Sequence, residues 1–242
     1  MPPFRFKQFA VNHDHSSMKV GVDGVLIGCW AEASDPMAIL DVGTGCGLIA
    51  LIMAQRYQES KIMGIDVDKA SVDEATENVS ASTWNDRVII KEASFSEDFC
   101  QILRQADVKF DLIVSNPPYF NAGVKDAVTP REVARHQGEL SPAVILHLSR
   151  IIISQGGSVA MVVPCDGSEE LEEYALSLGY ALKRKCLVRG HEKAPWKRVL
   201  LQWQYVGKRV VAPEISSLTL ETSPGIPTDE YRTLCKGFYL KF

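Results

Sequence analysis

No apolar run in this 242-residue chain approaches the roughly 18 residues that a membrane helix needs, so a spanning segment is not expected. The stretch Met1 to Ala10, MPPFRFKQFA, lacks the apolar core of a secretory signal. The expectation is a soluble protein that stays in the cytoplasm. The six cysteines (Cys29, Cys46, Cys100, Cys165, Cys186 and Cys235) include no closely spaced pair. That excludes the usual zinc-ligand and thioredoxin-like spacings, so no metal is expected and the thiols read as small, reduced core residues. Positive charge is not in excess either. The formal net charge is −4, which excludes nucleic-acid binding by bulk charge but not by a local surface. There is no internal repeat, low-complexity tract or Pro/Gly-rich linker. Residues 1–242 therefore read as a single domain, with a monomer favoured.

What is present is an alternation of apolar runs and helical patterns. Strand-like runs cover Met37 to Gly43, Lys61 to Asp68, Arg87 to Ala93, Phe110 to Asn116 and Gly157 to Pro164. Helical patterns fall between them, at Leu48 to Tyr57, Lys69 to Ser82, Leu140 to Ser154 and Gly167 to Tyr180. Asp68, Ser141 and Ser168 are the expected N-caps, with Pro142 at the first helical position. Two further strands, Tyr180 to Val188 and Arg198 to Val206, are expected to form an antiparallel edge. The residues from Thr228 to Phe242 read as a short helix and tail. Nearly continuous apolar strands alternating with helices imply an α/β fold. The sheet is expected to be doubly wound, mainly parallel and seven-stranded, covered on both faces.

The first core strand runs into LDVGTGCG, with Gly43, Gly45 and Gly47 ahead of a helix. Such glycines let backbone approach a ligand beside free helix N–H groups. The spacing is not that of the dinucleotide fingerprint. Asp41, at the end of the strand, suits a cationic group better than a pyrophosphate. Asp66 closes the second strand about 20 residues after the loop, where an acid can accept hydrogen bonds from ribose hydroxyls. An adenosine-containing cofactor fits these features; the alternative is a structural βαβ turn with a capping acid. A further oddity follows the fourth strand, where SNPPYF (Ser115 to Phe120) ends a buried strand with two prolines and then an aromatic pair. A rigid turn and a site that grips a flat substrate both explain it.

Taken together, DVGTGCG, GID and VSNPPYF resemble the class I S-adenosylmethionine-dependent methyltransferases of the NPPY type, which act on planar, sp²-hybridised nitrogens. The N-terminal FKQF…H…MKVGVDGVLIGCW and the later TPREVARHQ are similar to those members that methylate N6 of adenosine 37 in valine tRNA. The resemblance covers roughly Phe6 to Tyr205 and implies S-adenosylmethionine as cofactor and tRNA as partner. It implies that Asp41, Gly43 and Gly45 line the methionine end and that Asp66 holds the ribose. Ser94 stands where the family usually has an acid facing the adenine amine. Lys19 and Asp23, in an N-terminal extension of residues 1–36, are expected to cap the cofactor pocket. In NPPY, the Asn116 side-chain oxygen and the Pro117 carbonyl would accept both amine hydrogens, freeing a lone pair otherwise delocalised into the ring. Prolines lack an N–H and fix φ, which holds that carbonyl rigidly. Tyr119 offers a stacking face and Phe120 a second wall. No nucleophile or general base is needed, so His13, His15 and His147 receive no role.

Two basic segments are candidates for RNA contact. The loop after NPPY carries Lys125, Arg131 and Arg135. The stretch from Leu182 to Arg198 holds seven Lys/Arg, among them Lys183, Arg184, Lys185 and Arg198, against one acid, Glu192. This is a local asymmetry in an acidic molecule. The alternative is a lysine-rich strand edge that blocks edge pairing. A protein glutamine amide is the rival substrate, and an inactive RNA- or adenosine-binding module is the reading from another class.

Overall fold

The computed structural model describes residues 2–118, 140–206 and 212–242. Two short strands, β1 (Phe4–Arg5) and β2 (Ala10–Val11), form an antiparallel hairpin. An irregular segment then leads to α1 (Val22–Trp30), for which the sequence raised no expectation. The alternating core follows: β3 (Ala38–Val42), α2 (Leu48–Arg56), β4 (Lys61–Asp66), α3 (Lys69–Ser80) and β5 (Val88–Glu92). It continues with α4 (Glu97–Gln105), β6 (Phe110–Ser115), α5 (Pro142–Ile152), β7 (Ile153–Pro164) and α6 (Ser168–Ser177). The chain ends with β8 (Tyr180–His191), β9 (Arg198–Tyr205), β10 (Glu214–Ser223), β11 (Ile226–Pro227) and α7 (Asp229–Cys235).

One sheet runs β11-β10-β8-β9-β7-β6-β3-β4-β5. Five neighbouring pairs are parallel; β9 is antiparallel to both β7 and β8. The seven expected strands are all there, and β10 and β11 extend the sheet to nine. They escaped the sequence reading because β10 buries only Leu218 and Leu220, a short and weak alternation. Helix α4 was likewise missed; it has a Ser96 cap but buries only Cys100 and Leu103.

Successive strand residues serve opposite faces, as the pleat requires. Ile39, Leu112, Val114, Ala160 and Val162 pack under α1 and α2, while Leu40, Ile113, Val159 and Met161 pack under α5 and α6. Both sides are covered, hence the continuous apolar runs. Asp68 and Ser141 cap α3 and α5 as expected, accepting from the amides of Ser71 and Val144. Ser168 does not cap α6. Gly167, in the left-handed region at φ 81°, occupies that position, and Ser168 begins the helix. All six cysteines are free, and five are buried. Among the described residues no helix is long and apolar enough to cross a membrane, and no cluster of His, Cys, Asp and Glu could hold a metal.

Candidate active site

The chain lays β3, β4 and β5 outward in one direction and then returns to place β6 on the other side of β3. At such a switch point the connections diverge and leave a crevice at the carboxyl ends of the strands. A cavity of about 440 Å³ lies there, within the size range of small-molecule sites. Its floor comes from four strand ends: Val42 of β3 and Gly43 after it, Ile65 and Asp66 of β4, Ala93 and Ser94 after β5, and Asn116 after β6.

The glycine loop forms one wall. Gly43 sits at φ 70°, and a Cβ there would come within 2.9 Å of the Leu140 side chain. Gly45 also has positive φ, and its N–H donates to Asp66 Oδ2 at 2.9 Å. Asp66 Oδ1 accepts from the Asp68 amide at 3.0 Å. A carboxylate offers about four lone-pair sites, so capacity remains for ligand hydroxyls.

Asp41 is placed differently from the residues around it. It is fully buried and is not among the cavity-lining residues. Its Oδ2 accepts from Thr44 Oγ1 at 2.6 Å and from the Ala50 amide at 3.0 Å, tying the loop to the first turn of α2. Oδ1 has no hydrogen-bond partner among the described residues. Burial pushes its pKa up to about 7, against the opposing pull of those two hydrogen bonds, and Asp66 adds to the rise.

Asn116 follows the last residue of β6. Ser115 Oγ donates to the Val42 carbonyl at 2.7 Å and locks this strand end to β3. Asn116 lines the cavity, and its Oδ1 is buried with no hydrogen-bond partner among the described residues. Pro117 is buried and Pro118 lines the cavity. Tyr119, Phe120, Lys125, Arg131 and Arg135 lie outside the described residues.

The N-terminal segment closes the remaining side, through Ser17 and Met18. The residues expected to do this are elsewhere. Lys19 is exposed and absent from the lining, and Asp23 pairs with Arg198 at 2.5 Å. Met18, an apolar residue in a polar stretch, was the one signal in the sequence for this wall. Val67 and Phe95 add apolar surface that the sequence reading also missed. His13 Nδ1 accepts from the Val20 amide at 3.1 Å, and His147 contacts the Tyr174 hydroxyl at 3.2 Å.

The basic stretch is rearranged by its tertiary neighbours. Arg184 lies between Glu32 and Glu214, at 3.2 and 3.4 Å, over the Trp30 ring. Lys185 meets Glu172 at 2.7 Å, and Arg198 meets Asp23. These three cations are therefore largely neutralised and part-buried, because carboxylates distant in sequence fold against them. Lys183 is half-buried. Lys193, Trp196 and Lys197 instead lie exposed between β8 and β9. The registers Ser115 to Met161, Pro164 to Arg198 and Val188 to Arg198 put this hairpin tip at the cavity end of the sheet. Arg189 stacks 4.5 Å from the Trp196 centroid and is held by Thr219 Oγ1.

Comparison with known proteins identifies the family. A family model described as methyltransferase small domain matches residues 24–146. A tRNA1(Val) (adenine(37)-N6)-methyltransferase of Trichodesmium erythraeum is 39% identical, over 99% of this chain and 98% of that protein. One of Vibrio parahaemolyticus is 35% identical, over 98% and 95%. The crystal structure of a predicted O-methyltransferase from Agrobacterium tumefaciens superposes with a TM-score of 0.65, covering 89% of this chain and 96% of that one. At 17% identity it shares the fold. Matched over nearly its whole length, the chain belongs to the methyltransferase small-domain family and, within it, to the tRNA1(Val) (adenine(37)-N6)-methyltransferases.

Proposed function

We propose that this protein transfers the methyl group of S-adenosylmethionine to N6 of adenosine 37 in valine tRNA, acting as a monomer in the cytoplasm. The observation that carries the chemistry is the buried Asn116 Oδ1 at the cavity wall, which has no hydrogen-bond partner among the described residues. A buried acceptor without a donor is costly unless a ligand supplies one. An exocyclic amine is such a donor.

The cavity suits the cofactor. Asp66 supplies acceptors for ribose hydroxyls, Ile65, Val67 and Phe95 supply apolar surface for a planar base, and Ser94 lines the cavity beside Ala93. Gly43 and Gly45 keep the loop side-chain-free where the methionine portion would pass, and Asp41 braces that loop from behind. When bound, S-adenosylmethionine supplies an electrophilic methyl group on a sulfonium.

The chain's own residues then orient the acceptor. Asn116 accepts one amine hydrogen and the Pro117 carbonyl the other, which favours a pyramidal nitrogen with an available lone pair. The role is positioning: these residues would present the nitrogen toward the methyl group. Tyr119 and Phe120 are assigned the stacking faces for the base. An anticodon-loop base is already unpaired, which lowers the cost of presenting it. For RNA contact, Lys193, Lys197 and Trp196 are better placed than Arg184, Lys185 and Arg198, whose charges are already met. Lys183, Lys125, Arg131 and Arg135 complete the proposed contacts.

Incubating the protein with methyl-labelled S-adenosylmethionine and either total tRNA or total protein, followed by digestion and mass spectrometry, tests the reading. Label on N6-methyladenosine is expected. Label on glutamine amide alone would overturn it in favour of a protein substrate.

A further inference from the structure

The wall formed by Ser17 and Met18 belongs to no helix or strand. Residues 12–20 are irregular, so their amides find no partners in a backbone ladder. Those of Asn12, Asp14, His15, Ser16 and Ser17 find them on one face of α3. Asn78 Oδ1 accepts from the Asn12 amide at 2.8 Å, and Asn78 Nδ2 donates to the Asn12 carbonyl at 2.8 Å. Glu74 accepts three amides: Asp14 at 2.7 Å and His15 at 3.1 Å on Oε1, and Ser16 at 2.8 Å on Oε2. Ser71 Oγ accepts from the Ser17 amide at 3.3 Å.

Ser71, Glu74 and Asn78 are spaced three and four apart, so they lie in a row on one helix face. The segment runs antiparallel to that row and is read by it in order. The same row touches the rest of the cavity. Asn78 Nδ2 also donates to the Cys46 carbonyl in the glycine loop at 2.9 Å, and Ser71 Oγ donates to Asp68 Oδ2 at 2.7 Å.

Glu74 is the centre of the device. Its side chain sits in a residue only 3% exposed, yet it is not an ion-pair member among the described residues. Burial raises its pKa, and the hydrogen bonds from His15, Ser16 and Asp14 outweigh this and hold it below the ordinary carboxylate value. Three N–H hydrogen bonds donated to one carboxylate are charge-assisted and fix the backbone they come from.

We infer that Glu74 is a positioning residue for cofactor binding: by gathering the amides of Asp14, His15 and Ser16 it sets the place of the Ser17–Met18 wall. This rests on reading the cavity as the S-adenosylmethionine site. Glu74 touches no ligand in this scheme; it acts through the segment it holds.

The test uses the full chain with S-adenosylhomocysteine as probe. Calorimetry on the wild type should give binding, and on Glu74→Ala a Kd raised about tenfold. In turnover, the KM for S-adenosylmethionine should rise about tenfold while kcat falls less than threefold. Glu74→Gln keeps the oxygen for Asp14 and His15 but offers Ser16 a donor instead of an acceptor, so its Kd should fall between the two. Failure of the wild type to bind would remove the cofactor reading and this inference with it. Wild-type binding with an unchanged Kd in Glu74→Ala would overturn the inference alone. Hydrogen exchange of the ligand-free wild type gives a check independent of any variant's folding. The amides of 14–16 should exchange slowly although they belong to no helix or strand, and exchange at the free-peptide rate would overturn the inference.

Discussion

The cavity has two kinds of wall. One is made of strand ends: Val42, Asp66, Ala93 and Asn116 sit at the termini of parallel neighbours whose registers are fixed along whole ladders. The other, Ser17 and Met18, hangs on three side chains of α3. Point changes therefore act differently on the two walls. No single side chain moves a strand end, so substitutions there remove a chemical group and leave the frame. On the N-terminal side three side chains, Glu74 at their centre, hold the frame itself.

Asn116→Ala probes the first wall most sharply. Methyl transfer should fall by about 10²–10³-fold, the scale of losing one preorganised hydrogen bond at a reacting centre, while the Kd for S-adenosylhomocysteine changes less than twofold. A collapse of cofactor affinity in calorimetry would show that Asn116 belongs to the frame and not to the chemistry. Asp66→Ala should raise the cofactor Kd by about 10–100-fold, the range for hydrogen bonds to a charged group. Retained affinity would remove the ribose contact. The Asn116 change should thus act on rate and the Asp66 change on binding. Glu74→Ala, on the second wall, should also act on binding, although it touches no ligand.

Smaller effects separate the two basic groups. Lys193→Glu with Lys197→Glu should weaken tRNA binding and reduce the slope of log K against log salt by about 2, one for each phosphate that is no longer neutralised. Arg184→Glu should mainly lower Tm, since it sets a carboxylate between Glu32 and Glu214. An unchanged salt slope for the lysine pair would take the hairpin tip out of the RNA surface. The smallest effect concerns Asp41. Its folded pKa, about 7, lies above the ordinary value of 3.8, so the native state holds the proton more tightly than the unfolded chain. Its contribution to stability is whole below about pH 4 and is lost as pH rises toward 7. Asp41→Asn cannot ionise. Its Tm should therefore gain on the wild type between pH 5 and pH 8, and parallel Tm curves would contradict the buried, protonated carboxyl.

Much of the strand-end wall was legible in the sequence. Apolar runs gave β3 to β9, local chemistry gave the Asp68 and Ser141 caps, and motif position put Gly43, Gly45, Asp66 and Asn116 at one end of the sheet. Each of those signals is contained in a few neighbouring residues. The N-terminal wall was not legible because its bonds join residues 54 to 66 positions apart. The sequence drew attention to Lys19 and Asp23, while the structure uses Ser17 and Met18. The ion pairs of Arg184 and Lys185 were not legible for the same reason. A count of charge along the chain cannot include Glu32, Glu172 and Glu214, which arrive only when helices and strands pack. Ser168 was misread by one position, because Gly167 supplies the turn into α6 through its backbone instead of a side-chain cap.

Asn116 is assigned to receive an exocyclic amine at position 37. Single-turnover methyl transfer to valine tRNA carrying adenosine 37, against the same tRNA carrying inosine 37, tests it most directly, since inosine replaces that amine with oxygen. Transfer to the first and none to the second is expected; equal transfer to both would contradict it.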